Sequence, residues 1–331
     1  MRDELGAFPK NQASSSIVVV GDKVFVNTSN GVDWTEKHLP SPDCPALICL
    51  DKNTGKLLAV ERSGISRRTW KCNWSSPSYG VIAGRPTVVF GGGDGFCYGF
   101  SPDVDSTAVI AQNTDHPTDP QPTGAHPLGA PPAVPTLKEL WRFDCNPPER
   151  HFKNGKPQKY GLPEGPSDVI ATPVIFNDRV YVAIGQEPEQ GDGPGAMNCI
   201  EPKDATGDIS EKGRLWTNAR LARSVSTVSI GDGLVYLGDL TGMVHCLDAA
   251  TGQEYWKHDT ESHVWASTLL ADGKVYIGNE NGQLTILAAG KEKKLIGTID
   301  LKDEIKSTPI AANGVLYVGT SVHLYALEVK K

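Results

Sequence analysis

Apolar positions along this chain come in short runs rich in Val, Ile, Leu and Tyr, such as Val18 to Val20, Val24 to Val26 and Leu234 to Leu237. Gly, Asp, Asn and Thr clusters separate them. Runs of this length, bounded by turn residues and enriched in β-branched side chains, predict short strands rather than amphipathic helices. The pattern also repeats. Gly233-Leu-Val-Tyr236-Leu-Gly238 recurs as Lys274-Val-Tyr276-Ile-Gly278 and as Val315-Leu-Tyr317-Val-Gly319, with the tyrosines 40 and 41 residues apart.

A small polar pair precedes each copy: Ser226-Thr227, Ser267-Thr268 and Ser307-Thr308. Upstream, Ala171-Thr172-Pro173 stands before Val180-Tyr181, Ser76-Pro77 before Val88-Val89-Phe90-Gly91, and Ser14 to Ser16 before Val24-Phe25. Six units result. Within a unit, Asp-Gly and Thr-Gly or Asn-Gly hairpins (Asp94-Gly95, Thr241-Gly242, Asn281-Gly282) link successive strands. A turn of the form Asp-x-x-Thr-Gly then follows, as in Asp51 to Gly55 and Asp248 to Gly252. The fourth strand ends on Trp141, Trp216 or Trp256 in three units. Four strands per repeat of this length predict an all-β propeller of four-stranded antiparallel blades.

The expected organisation is one domain, residues 1–331, with six blades near 14–64, 73–147, 168–218, 223–261, 263–301 and 306–331. A fragment of a seven- or eight-bladed propeller is the rival reading. The last unit reaches only its third strand, Leu324 to Leu327, so closure of a ring asks Arg2 to Phe8 to supply the fourth, although Arg2-Asp3-Glu4 is poor strand sequence. Otherwise a sheet edge and an apolar face stay open. A proline-rich insertion, 105–137, interrupts the second blade and is expected to be exposed.

Composition agrees with many turns: 35 glycines and 24 prolines exceed the roughly 12% usual for the two together. No apolar run approaches the about 20 residues of a membrane helix. A net charge of −7 with both signs scattered gives no basic stripe for a phosphate backbone, so nucleic acid is not an expected partner. Seven cysteines lack zinc and haem spacings. Cys49, Cys199 and Cys246 share one repeat position, and Cys97 faces the same way, which predicts small buried hydrophobes. Cys44, Cys72 and Cys145 fall in loops or strand ends, where pairing is open. The tryptophan series is read as docking between blades.

The combination Val-Tyr-x-Gly, Leu-Asp-x-x-Thr-Gly and Trp resembles the pyrroloquinoline-quinone-like (PQQ-like) repeat of the quinoprotein alcohol dehydrogenase-like superfamily. Val26-Asn-Thr-Ser-Asn-Gly31, Phe143-Asp-Cys-Asn-Pro147 and Ile184-Gly-Gln-Glu-Pro-Glu189 are most similar to secreted repeat proteins of planctomycete-type bacteria. That resemblance implies a periplasmic or secreted location, although no signal peptide is evident at Met1. It also implies two functions of different class. One is a non-catalytic module that binds or scaffolds a protein or small polar ligand. The other is a PQQ- and calcium-dependent alcohol or sugar dehydrogenase. The resemblance implies adjacent cysteines for the latter, and none exist here.

Loops entering the first strands and leaving the second strands should converge on one face around the channel. They carry the candidate ligand-binding residues Trp70, Trp74, Asp94, Arg223, His263, Trp265 and Lys306, with Lys71, Asn73, Asp168, Asp239, Asn279 and Glu280 nearby. Glu187, Glu189 and Asp192 are a candidate calcium set, though their spacing is not that of an EF-hand.

Overall fold

The computed structural model describes all residues except 1, 12, 14, 105–133, 159–164, 192 and 329–331. Among the described residues six blade sheets follow one another in chain order, antiparallel except that Gly207–Asp208 adds a parallel edge strand to the second, and Phe152–Lys153 with Lys156–Pro157 forms a separate two-stranded ribbon. Blade 1 is Val18–Val20, Lys23–Asn27, Leu47–Asp51 and Leu57–Val60. Blade 2 is Ser78–Ile82, Arg85–Gly91, Phe96–Phe100 and Glu139–Asp144. Blade 3 is Val174–Phe176, Arg179–Ile184, Ala196–Ile200 and Arg214–Asn218. Blade 4 is Ser229–Gly231, Leu234–Gly238, Met243–Asp248 and Glu254–Asp259. Blade 5 is Leu269–Ala271, Lys274–Gly278, Gln283–Ala288 and Leu295–Asp300. Among the described residues, blade 6 has three strands, Ile310–Ala312, Val315–Gly319 and Leu324–Leu327. The all-β propeller expected from the repeats is what forms.

Local chemistry explains the regularity. Asp232-Gly233, Asp272-Gly273 and Asn313-Gly314 all take positive φ, the requirement of the tight turn that matches strand twist. Asp248 Oδ1 accepts the Ala250 and Thr251 amides, each at 3.0 Å, and the Thr251 hydroxyl. Asp51 does the same for Asn53 and Thr54. Gly252 closes its turn at φ 71° beneath the Trp216 indole, where a Cβ would lie 2.5 Å from the ring. Glycine is required there twice over.

Two sets of contacts join the blades. The first is apolar and aromatic. Trp216 donates its indole N–H to Ala249 O at 3.1 Å, and Trp256 to Gly290 O at 2.8 Å, each on the following blade. Tyr181 and Tyr236, the tyrosines of the repeat, bond the same two turns. Buried clusters join blades 1–2, 2–3, 3–4, 4–5 and 5–6. The second set is a chain of hydrogen bonds through the small polar pairs. Ser16 N bonds Ser76 Oγ, Ser75 Oγ bonds Ala171 O, Thr172 N bonds Thr227 Oγ1, Thr227 N bonds Ser267 Oγ, and Ser267 N bonds Thr308 Oγ1. These distances run from 2.9 to 3.3 Å and span blade 1 to blade 6.

Two expectations are corrected. Arg2 to Phe8 does not complete blade 6: Arg2–Leu5 is one helical turn, and Leu5 and Ala7 are buried against Cys44, Ile48 and Val60 of blade 1. Gly31 N bonds Phe8 O and Phe8 N bonds Asn30 Oδ1, so the segment is held where it covers the apolar back of blade 1. The end of the proline-rich insertion is not free either. Val60 N bonds Pro135 O, Leu137 N bonds Val60 O, and Leu137 is buried, while 105–133 lies outside the described residues. Among the described residues no helix is long and apolar enough to cross a membrane.

If the indole-on-turn contact holds blades 3 and 4 together, Trp216→Ala should lower the unfolding free energy in urea by about 3–5 kcal/mol. Trp34→Ala, at a side chain 69% exposed, should change it by less than about 0.5 kcal/mol. Equal losses for the two variants contradict the docking role.

Candidate functional site

Antiparallel connectivity puts the second-to-third hairpins and the blade-to-blade links on one face, and the described candidate residues lie there. Over blades 1 to 3 this face is closed by its own loops. Lys10 and Lys71, both buried, reach the two carboxylate oxygens of Glu36, and Lys71 also pairs with Glu187 at 2.8 Å. Lys10, then Lys71, holds the Glu36 carboxyl below its ordinary pKa. Burial opposes the charge on Lys71, but Glu187 and Glu36 outweigh it and raise that pKa. Asn73 bonds Asn30 O and receives Gly93 N, tying blades 1 and 2.

Several candidates therefore have internal duties. Asp94 is buried and receives the Tyr98 hydroxyl at 2.6 Å and Arg68 Nε at 3.0 Å. Burial raises its carboxyl pKa, opposed by Arg68. Arg223, fully buried, donates to Gln190 O and Gly191 O and braces the blade 3 insert. Asp239 and Glu254 take the two ring nitrogens of buried His245, at 2.9 and 2.7 Å. Asn279 caps its hairpin through Gln283 N and reaches Thr260 O. Asp168 is buried with Oδ1 unbonded, and burial, then Asp94 and Glu187, push its pKa well up. Trp70 is 37% exposed and Trp74 half-buried, at the border of this closed region.

The calcium set is not brought together. Glu187 is paired with Lys71, Glu189 is exposed on the turn Pro188–Gln190, and Asp192 lies outside the described residues. Among the described residues, no three His, Cys, Asp or Glu side chains group in a way that could hold a metal ion. Among the described acids of this face, Glu36 and Glu187 are matched to lysines and Asp94 and Asp168 are buried, a set that does not fit a quinone with calcium. Lys10, Glu36 and His245 were not singled out from the sequence. Their partners stand 6 to 35 residues away, and no local pattern marks them.

Over blades 5 and 6 the face is different. Trp265 donates its indole N–H to Glu280 Oε1, and His263 Nδ1 stands 3.3 Å from Glu280 Oε2. Lys306 Nζ lies 5.3 Å from the Trp265 ring centroid, 3.6 Å from Glu280 and 2.9 Å from Glu304. Glu304, above all, keeps the Lys306 ammonium pKa raised. His263 and Lys306 are exposed and Trp265 half-buried. A shallow depression of about 310 Å³ adjoins them, lined by Glu304, Lys306, Ser307, Gly319, Thr320 and Ser321. The structure brings these three candidates together, on an indole whose polar edge is fixed and whose face carries a cation.

All seven cysteines are free and buried. Burial pushes the thiols of Cys49 and Cys199 up to about 11 and those of Cys44, Cys72 and Cys246 up to about 12. Cys97 and Cys145 move the same way. Cys44, Cys72 and Cys145 do not pair. Iodoacetamide at pH 8 should therefore leave the folded protein unlabelled, while the urea-unfolded chain takes seven labels by mass spectrometry. Rapid labelling of any thiol in the folded state contradicts this packing.

The family model described as outer membrane protein assembly factor BamB matches residues 164–258 and 199–330, together half of the chain. No curated protein matches. Among solved structures, BamB from Moraxella catarrhalis is similar at 14% identity and a TM-score of 0.58, over 94% of this chain and 70% of that one. The computationally designed Ika8 protein is similar at 12% identity and a TM-score of 0.57, over 95% and 70%. At these identities the likeness speaks for the fold alone. The family match rests instead on the repeats themselves, and by it the chain belongs to the PQQ-like β-propeller repeat family whose model carries the BamB description.

Proposed function

We propose that this propeller is a non-catalytic binding module, working in the cell envelope, that holds a protein partner at the blade 5–6 side of its loop face. One observation carries the reading. Blades 1 to 3 have their loop-face charges matched internally, whereas His263, Trp265 and Lys306 stay accessible around one indole. A half-buried tryptophan with a fixed N–H and flanking charges is the composition of an interface anchor. The envelope location is supported by the family description, which names an outer-membrane assembly factor. No observation favours the dehydrogenase reading, since the described acids of the loop face do not fit quinone and calcium.

A photo-crosslinking residue placed at Lys306 should capture a discrete protein in the native envelope, whereas one at Arg179, in the depression on the opposite face, should not. With that partner purified, Trp265→Ala should weaken binding by about 30-fold, as an interface hot spot does, and Trp265→Phe by less. Equal capture from the two faces, or dye-linked alcohol oxidation after addition of PQQ and Ca²⁺ that is lost on Trp265→Ala, overturns the reading.

A further inference from the structure

The link from blade 1 to blade 2 is built around a buried acid. Glu61 follows the fourth strand of blade 1 and is 2% exposed. Its amide donates to Leu47 O at 2.8 Å and its Oε2 accepts the Ala46 amide at 3.0 Å, so main chain and side chain both close on the start of the third strand. Among the described residues no donor reaches Oε1. Beyond it, Gly64 takes φ 72° and leads into the helical turn Ile65–Arg68, in which Ile65 and Ser66 are buried. A carboxylate buried in this way is costly unless a cation matches it.

The guanidinium beside it, Arg68, is committed elsewhere. Its Nε and Nη2 stand 3.0 and 2.9 Å from Asp94 Oδ2, Nη2 donates to the Tyr98 hydroxyl at 2.7 Å, and Nη1 donates to Ser63 O at 3.0 Å. Two buried acids thus share one positive charge, and the geometry divides them. Asp94 collects Arg68 and the Tyr98 hydroxyl and holds the negative charge. Glu61 is the acid that keeps a proton. The charged and titratable groups that face it are Arg68 from the turn, Asp94 from blade 2 with Tyr98 behind Arg68, and the Cys44 thiol, which burial keeps neutral. Burial, with Asp94 adding to it, pushes the Glu61 carboxyl up to about 7 against the pull of the Ala46 amide, Arg68 and the Ile65 amide.

We infer that Glu61 is a proton-operated latch on the blade 1–2 link: with its proton it lets the turn Ile65–Arg68 seat against blade 2, and without it the segment 61–69 opens locally. The protonated carboxyl needs no cation. The carboxylate must either draw Arg68 off Asp94 and Tyr98 or leave its burial, and both unseat the turn. The opening has fixed ends. Leu57–Val60 is paired in its sheet on one side. On the other, Lys71 is held by Glu36 and Glu187, and Asn73 by Asn30 O, so the blades stay docked while the link moves. The sign follows from the raised pKa. The seated form holds a proton that an opened, ordinary glutamate releases, so seating is strongest below the usual glutamate value and weakens as pH rises through about 7. Over that window opening gains at most about tenfold per pH unit.

Amide exchange of the full-length protein between about pH 5 and 8, corrected for the intrinsic rate, tests this. The opening constant of the Ala46 and Thr69 amides, which bond Glu61 Oε2 and Ser66 O, should rise at least about tenfold over that range. Val235 and Leu237 of blade 4 should stay level. Glu61→Gln should abolish the rise and keep the segment closed at the alkaline end, because the side-chain amide copies the protonated acid. Asp94→Asn releases Arg68 to Glu61 and should end the rise at a lower pH. Where a variant does not fold, the carbon-13 signal of the Glu61 carboxyl in the unsubstituted protein decides, and it should titrate near pH 7. A flat profile, the same rise in Glu61→Gln, an Asp94→Asn profile identical to that of the unsubstituted protein, opening that increases as pH falls, or a Glu61 carboxyl titrating in the ordinary range each overturns the inference.

Discussion

Everything in this molecule depends on each blade finding the next. A four-stranded sheet of this size has two apolar faces and cannot bury both by itself. The repeat solves this with one polar and one aromatic coupling per unit. Thr227 illustrates the first: its hydroxyl accepts the Thr172 amide from blade 3, while its own amide donates to Ser267 of blade 5. Trp216 illustrates the second, lying on Gly252 and bonding Ala249 O, so that the turn closing blade 4 is also the platform for blade 3. Between the tyrosines of blades 4 to 6 the spacing of 40 and 41 residues is the distance needed to return to that coupling once per blade, and inserts lengthen it in the earlier blades.

Seen this way, the parts of the fold that were legible in the sequence are those encoded locally and repeated. The Ser-Thr pairs, Asp-Gly hairpins, Asp-x-x-Thr-Gly turns and tryptophans each act within a few residues or one period, so six units could be read. What was not legible depends on encounters without a period. Leu5 and Ala7 cover blade 1 because its back needs apolar cover, which no motif announces. Lys71 joins Glu36 and Glu187, residues 35 and 116 positions away, and their pairing closes a face that turn positions alone made look open. Asp94 and Arg223 were rightly placed on that face and wrongly taken as accessible, for the same reason. His263, Trp265 and Lys306 were legible together because they occupy links around a single blade and need only one neighbour to meet.

The two ends of the array are unequal. Blade 1 has its outward face covered by the N-terminal segment and by Val134, and its loops are cross-linked by ion pairs. Blade 6 shows three strands among the described residues and a series of exposed apolar residues, among them Ile310, Val322 and Leu324. The accessible Trp265 cluster lies beside blade 6, away from the ion-paired loops of blades 1 to 3.

Residue-resolved amide exchange in rising, sub-denaturing urea tests the coupling most directly. The account predicts that the amides of Thr172 and Thr227, with the second and third strands of blades 2 to 4, exchange together and only through global unfolding. Blade 6, Ile310–Leu327, should open locally at a lower urea concentration. Independent exchange of blades 2, 3 and 4, or protection of blade 6 equal to theirs, would contradict it.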